Sequence, residues 1–441
     1  MALIKLKRGY DLNLKGKVPS SQIEPAPKCT SVAVVPDDFQ GIIPRMDKKA
    51  GEHVVAGEVL YHDKTREAIK VTAPVSGTLK DVVRGERRKI LAVVIEPDGH
   101  NDSRTFDTKN TVKDLLLESG LWTMMRQRPY DVVPNPEVMP RDIFVTAFDS
   151  APLAPSLLTV MGDDVKHVQR GIDALKTLTL GQVHVGCRPQ EPLDVAGADV
   201  NVFAGKHPAG NAGVQAANVK PVNKGEVIWT LDIVTVARIG KLLATGKVDF
   251  STVVALTGSE VKSPKLVSTV MGASIDSLLK DNLAADGKQQ RIISGNVLTG
   301  VKVEQGGYLR APYRHVTVIP EINKPDEFMG WASLSPKKFS IYRVFTSWLC
   351  GKREVNLDAK LNGGERAIVL SGEYDRMLPM DIYAEFLIKA IIAFDIDKME
   401  QLGIYEVAPE DFALAEFACT SKLELQRIVR EGLDRMRAEM E

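Results

Sequence analysis

DIFVTAFD, residues 142–149, opens a region in which apolar strand-like runs alternate with helical ones. The further strand-like runs are VHVGC (183–187), VNVFAG (200–205) and STVVALTG (251–258). Apolar residues with helical spacing lie between them, around 165–178 and 233–245. Because apolar strands that alternate with helices are typical of a parallel sheet covered on both faces, the sequence predicts a Rossmann-like α/β domain.

Residues 31–98 precede this domain and show a different pattern, in which short alternating strands are separated by turns. Within them, GEHVVAGEVL (51–60) and APVSG (73–77) resemble the two halves of a biotinyl/lipoyl hammerhead. The glycines allow tight turns where a side chain would clash. We therefore expect a small barrel-like β domain.

Two further modules follow the α/β domain. Near residues 258–305 the order strand, strand, short helix, strand fits a β-grasp unit, and amphipathic helices follow at Met380–Phe394 and Leu423–Met440. The sequence thus predicts an α/β multi-domain protein. Its four domains are a hammerhead β domain at 1–100, a Rossmann-like α/β domain at 101–257, a β-grasp domain at 258–305 and a mainly helical domain at 306–441.

The charge balance excludes some classes of function. Lys and Arg number 57 and Asp and Glu number 57, so the formal net charge is zero and gives no electrostatic reason to expect nucleic acid. No window reaches the roughly 20 apolar residues that cross a bilayer, and the N-terminal segment lacks a signal-peptide core. We therefore expect a soluble chain in the cytoplasm.

Motifs for metal binding, nucleotide binding and nucleophilic catalysis are missing from the sequence. The four cysteines show no C-x-x-C spacing, and neither a glycine-rich nucleotide motif nor a G-x-S-x-G elbow occurs. The nearest ligand-loop candidate is AGKHPAGNAG (204–213), which follows a strand and so lies at the sheet edge where ligands bind. Its alternative is an ordinary crossover loop. We assign no catalytic residue and no metal ligand.

Several segments, in one order along the chain, resemble the A-subunit family of the Na⁺-translocating NADH:quinone reductases (Na⁺-NQR). Each alone is weakly specific, but together with the helical tail they run from residue 4 to about residue 422. They are IKLKRGYDLNLKG (4–16), AGEVLYHDKTREAIKVTAPVSGTL (56–79), LLLESGLWTMMRQRPYDVVP (115–134), DIFVTAFDSAPLAP (142–155), VFAGKHPAGNAG (202–213), RIISGNVLTG (291–300) and GERAIVLSGEYDRMLPMDI (364–382).

The resemblance implies a hammerhead, a Rossmann-like domain, a soluble-ligand-binding β-grasp (SLBB) domain and a helical domain. It implies a peripheral subunit on the cytoplasmic side of the bacterial inner membrane, in complex with the membrane-embedded B-subunit and the other subunits. The chain would contribute to quinone access or binding while quinone is reduced to quinol and Na⁺ is exported. The open alternative is a purely structural docking subunit. Neither version has independent catalytic activity.

The resemblance also implies that the redox cofactors lie elsewhere. FAD, FMN, riboflavin and an iron–sulfur cluster are expected in partner subunits, and none in this chain. The related flavin-carrying subunit of respiratory complex I follows its Ser-Gly-Leu with glycines whose backbone cradles FMN. Here Ser119-Gly120-Leu121 is followed by Trp122 and two methionines, which fill positions where a phosphate needs bare amides.

The same segment supplies the candidate quinone region. An aromatic plane and a cation could stack on a quinone ring and stabilise negative charge that develops on its oxygens. The alternative is structural: these residues join the hammerhead to the Rossmann-like domain, with an arginine capping carbonyl groups. The candidates are Trp122, Arg126, Arg128, Pro129 and Tyr130, with His207 in the 204–213 loop as a second site.

A basic hairpin is the remaining candidate surface. Arg84, Arg87, Arg88 and Lys89 cluster there, and clustered cations could contact lipid headgroups or an acidic partner. The simpler interpretation is a solvated turn.

Overall fold

The computed structural model describes residues 2–284, 289–321, 338–350, 353–369 and 371–440. Its strands are β1 (Ala2–Lys5), β2 (Ile23–Pro25), β3 (Val32–Val34), β4 (Pro44–Met46), β5 (His53–Val54), β6 (Val59–Asp63), β7 (Lys70–Thr72), β8 (Gly77–Arg84), β9 (Ile90–Pro97), β10 (Arg126–Arg128), β11 (Asp142–Thr146), β12 (Val183–Cys187), β13 (Asp199–Ala204), β14 (Ile228–Asp232), β15 (Ser251–Thr257), β16 (Lys265–Val270), β17 (Gln290–Ser294), β18 (Val301–Val303) and β19 (His315–Pro320). Its α-helices are α1 (Val112–Ser119), α2 (Leu157–Met161), α3 (Val168–Lys176), α4 (Ala212–Val219), α5 (Ile233–Thr245), α6 (Ile275–Leu278), α7 (Glu373–Met377), α8 (Ala384–Ala393), α9 (Ile396–Gln401), α10 (Ala413–Ala418) and α11 (Leu425–Met440).

The α/β sheet has the strand order β1-β13-β12-β11-β14-β10. Its strands pair in parallel except for β10, which pairs antiparallel with β14. Along β11, Ile143 and Val145 join one apolar core with α3 and α5, whereas Phe144 joins another with Val214 of α4. Because neighbouring strand residues point to opposite faces, helices cover both sides of this sheet, as the sequence pattern predicts.

A second six-stranded sheet has the order β18-β17-β19-β15-β16-β2. The strand β15, which the sequence pattern assigns to the α/β domain, instead pairs with β16 and β19. The strand β19, expected in the C-terminal domain, lies between β15 and β17. Apolar strand patterns show that a strand is buried but not which sheet it joins, so local sequence misplaces both strands.

The β domain consists of two small antiparallel sheets, β3-β9-β8-β5 and β4-β6-β7, around buried Leu60, Leu79 and Val93. Among residues 2–25, both strands pair with the other two sheets instead. β1 extends the α/β sheet beside β13, and β2 extends the second sheet beside β16. The N-terminal segment therefore ties the other two sheets together.

The C-terminal residues form a helical module around α8, α10 and α11. On α11, Leu425, Val429, Leu433 and Met436 are buried at spacings of three and four residues, which confirms the predicted apolar face. The predicted starts of three helices were too early. α3 begins at Val168 after a 3₁₀ turn, α8 begins at Ala384 and α11 at Leu425.

Helix α1 begins and ends at residues that suit its two ends. Thr111 caps its N-terminus by accepting a hydrogen bond from the amide of Asp114, and Gly120 ends it with φ 81°. A left-handed residue is the usual helix terminator and favours glycine. The chain is thereby turned into the segment that carries most of the predicted site residues.

Candidate functional site

The segment after α1 is a 3₁₀ turn, Leu121–Met124, followed directly by the edge strand β10. In the turn, the amides of Thr123 and Met125 donate to the carbonyls of Gly120 and Trp122. These amides are therefore used within the loop, and a phosphate could not lie against them.

Trp122 is fully buried. Its indole Nε1 donates to the carbonyl of Pro134 at 2.9 Å, and its ring meets Trp229 edge to face, with centroids 5.0 Å apart. Paired aromatics of this geometry contribute roughly 1 kcal/mol beyond their burial. The residue that replaces a bare backbone position thus packs in the core against the α/β sheet.

Arg126 caps carbonyl groups. Its guanidinium donates to the carbonyls of Thr123 and Met125 and, from Nη2 at 2.5 Å, to the carbonyl of Asp38 in the β domain. This is the geometry of the structural alternative, in which Arg126 joins the two domains.

Arg128 is 1% exposed and reaches the helical module instead. It donates to Asp411 at 2.7 Å, to Glu410 at 3.3 Å and to the carbonyl of Glu406. Burial lowers the pKa of Arg128, but Asp411 and Glu410 outweigh it and hold the pKa above its usual value. The following Pro129 has a cis peptide bond, and Tyr130 has φ 78° with its carbonyl held by Arg430.

The 204–213 loop is filled by protein atoms. A side chain at Gly205 would meet Leu6, one at Gly210 the amide of Ser150, and one at Gly213 the guanidinium of Arg128 at 2.2 Å. The glycines admit these neighbours rather than leave a free cradle.

His207 is 3% exposed in this loop. Its Nδ1 lies 3.0 Å from the hydroxyl of Ser150, its Nε2 has no hydrogen-bond partner among the described residues, and burial lowers its pKa. The structure places His207 at the carboxyl edge of the α/β sheet and the guanidinium of Arg128 against Gly213 of the same loop, but it does not gather the six predicted residues around one open space.

An open cleft does lie beside the predicted segment. Its volume is about 30 Å³, which leaves room for a water molecule but lies well below the usual range of ligand sites, so a larger ligand enters only if the walls move apart. Three modules wall it. The β domain contributes Ala33, Val34, Val35, Asp38, Phe39, Val71, Thr72 and Pro74. The turn after α1 contributes Gly120, Thr123 and Met124, and the second sheet and its loops contribute Phe250, Met271, Gly272, Leu309 and Ala311.

Asp38 places a carboxylate in the lining of this cleft. It accepts from Arg310 Nε at 2.6 Å and from the amide of Ala311 at 2.9 Å. Burial raises the pKa of Asp38 to about 6, although Arg310 and the amide act in the opposite direction. An ion pair across a module boundary therefore borders an apolar space, with a carboxyl group that exchanges its proton near neutral pH.

Sequence reasoning missed Asp38, Arg310 and Met271, because residues from three modules meet only after folding. The one available signal was the polar pair Asp37-Asp38 directly after the apolar run VAVVP.

A larger space of about 230 Å³ lies between α2, α5 and the strands β15 and β16. Asp164 and Asp249 line it, and Lys241 pairs with both at 3.0 and 2.6 Å. The carboxylates and the buried guanidinium of Arg238 make it more polar than the cleft at Asp38, so it suits a flat apolar ring less well.

Within the described ranges, no group of three or more His, Cys, Asp and Glu side chains is arranged to hold a metal ion. Over the same residues, no helix is both long and apolar enough to cross a membrane.

Family models match three consecutive ranges of the chain. The model described as the NqrA N-terminal barrel-sandwich hybrid domain matches residues 4–98, the NqrA second alpha/beta domain matches 107–248, and the NQRA C-terminal domain matches 253–305. Together they cover most of the described chain before the helical module.

Curated relatives match nearly the whole length. The A-subunit of the Na(+)-translocating NADH-quinone reductase of Rhodopirellula baltica is 37% identical over 98% of this chain and 97% of its own. That of Vibrio anguillarum is 37% identical over 99% and 100%. Among solved structures, an NAD⁺-reducing [NiFe]-hydrogenase aligns over 75% of this chain and 62% of that chain, with 10% identity and a TM-score of 0.38, a likeness too weak to bear on function. The resemblance of the sequence segments is thus confirmed, and the chain belongs to the A-subunit family of the Na⁺-translocating NADH-quinone reductases.

Proposed function

We propose that this protein contributes the cleft at Asp38 to quinone access or binding in the reductase complex. Membership of a complex with NADH:quinone reductase activity follows from the family. The observation that carries the proposal is a cleft with mostly apolar walls beside the Ser119-Gly120-Leu121 segment, with an arginine–aspartate pair at its side.

In this proposal the walls move apart to admit a flat ring with polar edges. Phe39 and Phe250 offer aromatic surface, and Met124 and Met271 offer flexible, polarisable thioethers that adapt to the shape of a ring. Apolar rings gain about 25 cal/mol for each Å² of surface removed from water, which favours their entry.

The charged pair supplies what a quinone oxygen needs. Arg310 is 19% exposed at its side chain and can turn a donor towards a carbonyl oxygen, where it stabilises negative charge. Asp38, with its pKa raised to about 6, can hold or release a proton at the cleft. Trp122 and Arg126 act from behind the wall: Trp122 fixes the turn, and Arg126 holds the backbone of Asp38.

A photoreactive azido-quinone tests this proposal on the assembled complex. We expect label on residues 33–39, 120–124 and 271–272, and excess unlabelled quinone should remove it. Label confined to other parts of this chain, or label that quinone does not compete away, would refute the cleft.

Substitution sharpens the same test. Arg310→Gln removes the cation but keeps a donor, and we expect roughly ten- to hundredfold weaker quinone binding, because hydrogen bonds to charged groups are worth roughly 1.5–3 kcal/mol. Arg291→Gln is the matched control, since it removes an arginine–glutamate pair of 2.7 Å in the second sheet, and neither residue of that pair lines the cleft, whereas the partner of Arg310, Asp38, does. Equal affinity in both variants would contradict a role for Arg310.

The purely structural docking subunit is the second candidate. The buried Arg128–Asp411 pair and the carbonyl contacts of Arg126 favour it, because both use predicted site residues to join modules. If the cleft variants leave quinone binding intact while loss of the protein disrupts the complex, this version is correct.

The remaining assignments follow from the same proposal. The protein would sit on the cytoplasmic side of the bacterial inner membrane against the membrane-embedded B-subunit, while FAD, FMN, riboflavin and the iron–sulfur cluster would be held by partner subunits. Metal and flavin analysis of the isolated chain tests the last point, since a stoichiometric flavin or iron would contradict it.

A further inference from the structure

One segment of the helical module departs from the neutral charge balance of the chain. Residues 337–353 read KKFSIYRVFTSWLCGKR. They include five cations and four aromatic residues (Phe, Tyr, Phe and Trp) but no acidic residue. The structure describes residues 338–350 and 353 of this range. We call residues 338–349 the basic aromatic segment.

Half of the basic aromatic segment anchors it to the protein. Phe345 is 7% exposed, and Phe339 lies 6.3 Å from Phe417 and 6.5 Å from Tyr10, measured between ring centroids. Ile341 packs on the core of the helical module. The segment is therefore held in place on the surface.

The other half points outward and is apolar. The side chains of Val344, Trp348 and Leu349 are 58%, 52% and 66% exposed, and Tyr342 is 37% exposed. A 3₁₀ turn, Thr346–Cys350, presents Trp348 and Leu349 together. Apolar residues grouped in this way on a protein surface indicate an interaction site.

Cations flank this apolar group. The guanidinium of Arg343 lies 5.6 Å from the centroid of the Trp348 ring, and the ammonium of Lys338 lies 5.8 Å from that of Phe345. The nearby acidic residue Glu373, beside Tyr342, pairs with Arg376 at 3.0 Å. The exposed apolar group is therefore bordered by positive charge.

We propose that the basic aromatic segment docks on an anionic phospholipid surface. Trp and Tyr rings are most stable at headgroup level, where one edge is apolar and the other is wet. Val344 and Leu349 would enter the acyl boundary while Arg343 and Lys338 face lipid phosphates. The segment has two cations and no acidic group, which fits a surface of one charge sign. The proposal does not depend on the quinone cleft.

Vesicle binding by the full chain tests the proposal. We expect sedimentation with phosphatidylcholine vesicles that contain phosphatidylglycerol, not with phosphatidylcholine alone, and weaker binding as salt screens the charges. The double variant Lys338→Gln/Arg343→Gln should bind about 30-fold more weakly, since each cation at an anionic surface contributes about fivefold. The emission of Trp348 should shift to the blue on binding, and Trp348→Phe should lose that shift.

The basic hairpin provides a matched control. Arg87 and Arg88 are exposed at its tip with φ 51° and 62°, and Arg87→Gln/Arg88→Gln removes the same charge from another surface. We expect this variant to bind vesicles within about twofold of the unchanged chain. An equal loss in both double variants would show non-local charge attraction and overturn the proposal. If the unchanged chain ignores anionic vesicles but Trp348→Ala prevents assembly with the other subunits, the surface belongs to a protein partner instead.

Discussion

Two of the arginine–aspartate pairs that cross module boundaries among the described residues differ in their surroundings. Arg128 and Asp411, 2.7 Å apart, are 1% and 0% exposed at their side chains, and Gly213 is bare so that the guanidinium fits. Arg310 and Asp38, 2.6 Å apart, are 19% and 6% exposed, and Asp38 lines a small cleft of about 30 Å³. The first pair is sealed from solvent, and the second is partly exposed beside the cleft.

The difference distinguishes a structural contact between modules from a candidate ligand site. A charged pair that is sealed from solvent, such as Arg128 with Asp411, has no side that a ligand can reach, although the Nε of Arg128 has no hydrogen-bond partner among the described residues. A pair beside an open apolar space has donors that a ligand can use, and burial still shifts its carboxyl pKa. In the segment after α1, Arg128 therefore joins modules, whereas Arg126 stabilises the wall of the cleft through the carbonyl of Asp38.

The largest expected effect is at the closed pair. Arg128→Ala leaves the carboxylate of Asp411 buried without its cation, and we expect a loss of about 3–5 kcal/mol in the free energy of unfolding. Denaturant titration of the full chain, followed by tryptophan fluorescence, measures it. The double variant Arg128→Met/Asp411→Asn removes both charges and should recover most of the loss. If it is as unstable as Arg128→Ala, the pair is not the cause.

The pair of Asp38 and Arg310 should instead make the stability of the protein depend on pH. Because the pKa of Asp38 is raised from 3.8 to about 6, the unfolded chain releases this proton at lower pH than the folded chain. Stability should therefore fall by up to about 3 kcal/mol as pH rises from about 4 to about 6. Asp38→Asn should lack this fall. Thermal unfolding across that pH range compares the two, and parallel profiles would refute the raised pKa.

Trp122 tests whether the wall and the site can be separated. Trp122→Phe removes the donor to Pro134 and part of the edge-to-face contact, and we expect a loss of roughly 2 kcal/mol in stability. Met124→Ala, at a half-buried position that lines the cleft, should cost less stability but reduce azido-quinone labelling. The reverse outcome, in which Trp122→Phe alone reduces labelling, would show that the indole ring itself contacts the quinone.

Some features of the fold and of the candidate site can be predicted from the amino-acid sequence, and others cannot. The helix α1 and its Gly120 stop could be predicted, because helical spacing and a terminal glycine are local signals. So could the parallel sheet, since burial on both faces imposes a continuous apolar pattern. The sheet joined by β15 and the neighbours of Asp38 could not, because they depend on contacts between residues far apart in the chain, such as Asp38 with Arg310.

The smallest expected effect concerns the helix that leads into the cleft. Thr111 Oγ1 accepts from the amide of Asp114 at 3.2 Å, and Thr111→Ala should cost about 1 kcal/mol because one N-terminal amide of α1 loses its acceptor. Thr111→Ser keeps the acceptor and is the control. Hydrogen exchange at the first turn of α1 measures the local effect, and faster exchange there should leave residues 120–124 unchanged, because Trp122 holds that turn from the core. If exchange in the turn rises as well, the wall of the cleft is positioned by α1 rather than by the indole.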